Sequence, residues 1–163
     1  MIKQATTRKT ATLIAVLLGL GMVSAHAQSE SDVAEVSAAN NAFYAALSAL
    51  DAAAMEKVWA HEPYVTSIGP ANKAVTTGWV ALQDGYKNFM ARMAPTIAQV
   101  MNKPVDTQVH INGNVAWVVG RETYERTMKD GTSNAGENFL TNVFEKKEGH
   151  WLMVSHHAQR VPQ

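Results

Sequence analysis

The chain has no cysteine, which excludes disulfides, thiolate metal sites and a cysteine nucleophile. It also lacks G-x-S-x-G, P-loop and dinucleotide glycine patterns, so serine-hydrolase, kinase and Rossmann readings have nothing to rest on. No H-x-x-x-H or other dedicated metal spacing occurs. The adjacent pair His61 and Glu62 is a poor basis for a site, because neighbours in sequence rarely ligate one ion well. Neither a metal nor a cofactor is therefore expected. Net charge is missing too, with 14 Lys and Arg against 14 Asp and Glu. Without a clustered basic surface, a nucleic-acid partner is not expected. The longest apolar run, Ala11 to Val23, falls short of the ~20 residues that cross a bilayer.

That run has a different use. Lys3, Arg8 and Lys9 precede it and Ala25-His26-Ala27 follows it, which is the anatomy of a cleaved secretory signal. Residues 1–27 are expected to be a leader and residues 28–163 one domain, exported to the periplasm or secreted and free of the membrane after cleavage. Removing three basic residues leaves the mature part mildly acidic.

Hydrophobic periodicity divides that domain into two halves. Asp32 with Glu35 reads as a helix cap, followed by Val36, Phe43, Leu47 and Leu50 at helical spacing. Asp51 is placed to cap a second, shorter helix that stops near Pro63. Tyr64–Ile68 and Lys73–Thr77 read as short extended pieces, and Gly78 precedes a third helix with Trp79, Leu82, Tyr86 and Phe89 on one stripe. After Pro95 the period falls to two. Asn112-Gly113, Asp130-Gly131 and Glu148-Gly149 punctuate four long strands ending near Arg160. Helices first and an antiparallel meander afterwards is an α+β pattern, with three helices packed on a curved sheet.

Two stretches carry a family likeness. Asn138-Phe-Leu-Thr-Asn142-Val-Phe, then Gly149-His-Trp151 and the closing His156-His157, together with Ala116-Trp117-Val-Val-Gly-Arg121-Glu122, resemble the SnoaL-like pattern of the nuclear-transport-factor-2-like superfamily. The resemblance covers residues 32 to 160 and implies a cone-shaped α+β roll with a pocket. The chain departs from the pattern at His157-Ala158-Gln159, where members often have His-x-Ser. The superfamily includes isomerases, cyclases, dehydratases and non-catalytic binding or assembly domains, so membership fixes architecture better than chemistry.

His156 and His157 are strand neighbours and must point to opposite faces. Parity groups Trp151, Met153, Ser155 and His157 on one face and Leu152, Val154, His156 and Ala158 on the other. The family's closing histidine aligns with His157, which is expected to be the inward proton-transfer group; the alternative is a histidine bonded to a strand neighbour. Glu122 shares a face with Val118, Gly120 and Tyr124. It would orient that histidine, or sit on the solvent face balanced by Arg126 or Lys146. By resemblance, Asn142 would polarise a ligand carbonyl. Tyr44, Trp59, Tyr64, Trp117 and His156 are the remaining candidate ligand-binding residues, since aromatic walls suit a ring-bearing ligand.

The expected function is binding of a small ring-bearing or carbonyl ligand, with cofactor-independent isomerase, cyclase or dehydratase chemistry if catalytic. The alternative is a non-catalytic dimerisation or partner-binding domain, and a homodimer is the default expectation for its open sheet.

Overall fold

The computed structural model describes residues 17–162, with side chains from residue 30 onward. The expected leader lies outside the described residues apart from its helical backbone from Leu17. The chain divides into two units, Met1–Ser31 and Asp32–Gln163, and the second carries the sheet and the candidate site. The elements are α1 (Leu17–Ala49), α2 (Ala52–Val58), β1 (Thr66–Ile68), β2 (Thr76–Thr77), α3 (Trp79–Met93), β3 (Ile97–Asn112), β4 (Val115–Met128), β5 (Ser133–Lys147) and β6 (His150–Arg160).

Asp32 does not cap α1, because the helix already runs through that position. Its carboxylate instead accepts hydrogen bonds from Lys146 and from Trp151 Nε1, tying the helix to β5 and β6. Asp51 does cap α2, accepting from the backbone of Ala53 and Ala54. Val36, Asn40, Phe43 and Tyr44 form the buried stripe of α1. They pack with Met55 and Val58 of α2 and Leu82 and Met90 of α3 over one face of the sheet. That inner face presents Ala116 and Val118 from β4, Leu140 and Phe144 from β5, and Trp151 and Met153 from β6.

The six strands form one curved, unclosed sheet in the order β2-β1-β6-β5-β4-β3. The four long strands are antiparallel, as their hairpin spacing predicts. One edge departs from the expectation of an antiparallel sheet, since β1 lies parallel to β6. The chain leaves α2 alongside β6 in that direction: Trp59 bridges Met153 in parallel, and the Ala60 amide donates to the Met153 carbonyl at 2.9 Å. The β3–β4 turn falls one residue later than Asn112-Gly113, because Asn112 still pairs with Val115. Gly113 takes the first turn position at φ 62°.

Besides a register shift between Ile97 and Gln99 at the start of β3, two irregularities bend the long strands. The first lies in β3 between Val105 and Gln108, around Asp106 at φ 51°. Opposite it, a side chain at Gly120 would approach the Asp106 carbonyl to 2.8 Å and Thr107 Cα to 2.9 Å. Only glycine lets β4 come so close to the bulge. The second lies in β6: Val143 pairs with Ser155 and Phe144 with Met153, so Val154 is an extra residue. Gly120→Ala should therefore cost about 1–3 kcal/mol by forcing backbone apart. Urea denaturation checks this, and an unchanged midpoint would show that the bulge yields freely.

Candidate functional site

The β6 bulge decides which histidine faces inward. Alternation runs Trp151, Met153, skips one residue at Val154, and resumes at His156 and Ala158. His156 is 6% exposed, whereas His157 is exposed on the outer face beside Thr141. The expected inward orientation of His157 is thus corrected, and so is the grouping of Trp151 with His157. An extra strand residue inverts side-chain parity beyond it.

Around His156 the polar side chains form one directed network. Asn142 is fully buried and donates through Nδ2 to Asn40 Oδ1 at 2.8 Å and to the Tyr44 hydroxyl at 3.4 Å. Its Oδ1 therefore faces His156 Nδ1, 2.8 Å away. An amide oxygen only accepts, so Nδ1 carries the proton and the neutral ring keeps Nε2 as an acceptor. Tyr44 donates to Glu122 Oε2 at 2.9 Å, and Asn138 Nδ2 donates to Glu122 Oε1 at 2.8 Å. Asn138 Oδ1 is buried without a partner.

Burial controls the proton affinities. It pulls the His156 pKa down to about 4, with the neighbouring His157 charge adding to the effect. Burial also raises the Glu122 carboxyl above its ordinary value, against the opposing bonds from Asn138 and Tyr44 and the charge of Arg126. The phenols of Tyr44 and Tyr86 are pushed far up by the same desolvation, and both stay protonated.

The network ends at a cavity of about 420 Å³ between α1, α3, the β1–β2 loop and the sheet. Phe43, Leu47, Tyr86 and Phe89 supply its apolar walls, and Asn138 and His156 supply polar wall atoms. Phe43 lies 4.7 Å from the His156 ring, centroid to centroid. This volume lies within the usual range for small-molecule sites.

The other expected site residues are dispersed. Glu122 and Tyr44 face inward but stand behind Asn138 and Phe43, and neither lines the cavity. Asn142, expected to meet a ligand carbonyl, is committed to Asn40, Tyr44 and His156. Glu122 touches neither histidine directly; Tyr44 and Asn142 stand between it and His156. Trp59 is core, 1% exposed. Tyr64 is surface-exposed and donates to Glu145 at 2.6 Å. Trp117 lies on the outer face, stacked on His110 at 5.4 Å. Asn40 and Asn138 are the residues that sequence reasoning missed. Helical spacing puts Asn40 one turn before Tyr44, and strand parity puts Asn138 on the face of Asn142, so both carried a usable signal. Among the described residues no group of three His, Asp or Glu side chains is placed to hold a metal, and no helix is long and apolar enough to cross a membrane.

Helices laid over one face of a curved, unclosed sheet, with a cavity at their junction, define the nuclear-transport-factor-2-like class. Within it the chain belongs to the SnoaL-like domain family, whose pattern matches residues 36–161. A Streptomyces avermitilis protein of the nuclear-transport-factor-2-like family, described as a proposed dehydratase, is 24% identical with TM-score 0.72, over 82% of this chain and 99% of that one. A superfamily protein from Salmonella enterica serovar Typhimurium is 16% identical with TM-score 0.72, over 83% and 94% of the two chains. A proposed association domain of calcium/calmodulin-dependent protein kinase type II from Thiobacillus denitrificans is 27% identical with TM-score 0.62, over 77% and 94%. No curated protein matches the chain.

The depressed His156 pKa has a thermodynamic consequence. A histidine whose folded pKa of about 4 lies below its unfolded value of about 6.5 contributes fully above the latter and loses its contribution as pH falls between them. The loss is on the order of 3 kcal/mol at full development, and Glu122, whose raised carboxyl takes up its proton more readily when folded, offsets part of it. Urea titrations from about pH 7 to about pH 4 should show this slope, and His156→Gln should flatten it. A wild-type slope unchanged by that substitution would refute neutral burial of the ring.

Proposed function

We propose that this chain is an exported SnoaL-like protein that binds a small ring-bearing or carbonyl-bearing molecule in the cavity beside His156. One observation carries the reading: a buried, neutral imidazole whose Nδ1 is fixed by Asn142, leaving Nε2 as the acceptor, lines an aromatic-sided cavity. A ligand hydroxyl or enol is the natural donor to Nε2, and Phe43, Tyr86 and Phe89 suit a flat body. Binding leads and catalysis follows. An imidazole with a pKa of about 4 is a weak base near neutrality, so any isomerisation, cyclisation or dehydration would draw on positioning more than on proton transfer.

A specific observation favours assembly as a second reading. On the outer sheet face Trp117 is 37% and Phe139 50% exposed, with Val143 paired to Trp117 and the Val119–Thr141 pair between them in the strand register. Such a patch is suited to a second copy of the chain, and one structural relative is described as an association domain.

Native mass spectrometry of protein from its own host's periplasm tests both. The expected outcome is a small molecule bound to the wild type and reduced at least tenfold in occupancy in His156→Phe. Absence from the periplasm would overturn the export reading, and an empty cavity in protein taken directly from cells would overturn the binding reading. For assembly, sedimentation velocity should give a wild-type dimer and a Phe139→Glu monomer. A wild type that stays monomeric at high concentration would refute it.

A further inference from the structure

Two residues that line the cavity each carry a buried polar atom without a partner, and they narrow the class of ligand. Arg126 lines the cavity from β4, four residues beyond Glu122 on the same inner face. Its guanidinium lies 4.9 Å from the Tyr124 ring, and its Nε is buried with no acceptor. Among the described residues no carboxylate forms an ion pair with it. The nearby acid Glu122 already accepts from Tyr44 and Asn138 with its two oxygens. Arg160, the β6 residue paired with Asn138, and Arg92 of α3 also line this cavity. Asn138 is 1% exposed and lines the same space, its Oδ1 unpaired. A buried donor and a buried acceptor without partners, on two residues that line one cavity, are costly unless a third molecule serves those residues. A fixed guanidinium is the side chain best matched to a planar two-oxygen anion.

We infer that the ligand of this cavity is an apolar or aromatic carboxylate bearing a hydroxyl or amino group, its carboxylate on Arg126 and its hydroxyl or N–H donating to Asn138 Oδ1. The inference rests on the binding reading above and names its substrate class. The aromatic side of the cavity takes the ligand body, and Arg160 and Arg92 add to the positive field. Tyr124 stacks under the guanidinium, and Gly136 makes that arrangement possible: a side chain there would meet the Tyr124 hydroxyl at 2.6 Å.

The test is isothermal titration, with saturation-transfer NMR as a second readout, of the wild type against a graded panel of alkyl and aryl carboxylates. Each acid is paired with its methyl ester and with its hydroxylated analogue. The carboxylate should bind about tenfold tighter than its ester, with the advantage shrinking as salt rises. Arg126→Leu should erase that advantage and leave ester binding unchanged, while Arg126→Lys should retain part of it. The preference for the hydroxylated analogue should persist in Arg126→Leu and shrink in Asn138→Leu, where His156 alone is left to accept from the hydroxyl. Circular dichroism and a urea midpoint establish that each variant is folded. Should Asn138→Leu fail to fold, the Arg126 pair and the ester comparison still decide the matter. Esters binding as tightly as acids would overturn the anion assignment while leaving the binding reading intact. No binding by any member, charged or neutral, would overturn both.

Discussion

The site depends on how the Asn142 amide is oriented. One face of that side chain accepts and the other donates, so fixing the donors on Asn40 and Tyr44 leaves the oxygen for His156. From that one orientation follow the tautomer of the imidazole and the acceptor character of its other nitrogen. The orientation is locked because Asn142 has no solvent exposure, and a flipped amide would set its oxygen against the acceptor oxygen of Asn40. Helix α1 and the sheet are thereby joined by polar bonds inside an otherwise apolar layer, adding a single preferred seating to the non-directional packing of Phe43, Phe144 and Met153.

Much of the fold was legible in the sequence because it is written locally. Asp51 caps α2, the turn signals separate the long strands, and Glu122 shares the face of Val118 as parity groups it; that this face is the inner one, and that Tyr44 is buried beside the Phe43 stripe, show only in the packing. Two local readings failed for an identifiable reason. Asp32 has the chemistry of a cap, but a cap exists only where a helix begins, and α1 begins earlier. The histidine pair failed because period-two counting assumes unbroken pairing, and nothing in Met153-Val-Ser155 marks Val154 as surplus. Such a bulge belongs to the pair of strands and not to either one.

The polar wall of the cavity was less legible, for a related reason. Asn138 and Arg126 matter through what they do not touch, and an unpaired atom is a relation among four or five elements. Sequence gave their faces; only packing shows that Glu122 uses the Asn138 nitrogen and leaves its oxygen. The family likeness pointed at Asn142 and His157; the packing buries Asn142 against His156 and leaves His157 on the outer face. Asn142 serves the site by holding a side chain rather than a ligand.

The direction of the hydrogen bonds in this network has a consequence for charge movement. From His156 through Asn142 and Tyr44, every donor points toward Glu122. A hydroxyl can hand a proton on and reset by rotating, but an amide would have to pass through a high-energy imidic tautomer. With Asn142 in the middle, the chain is a poor conductor of protons between the two titratable ends. It behaves as a fixed row of dipoles running from the cavity-lining His156 to Glu122.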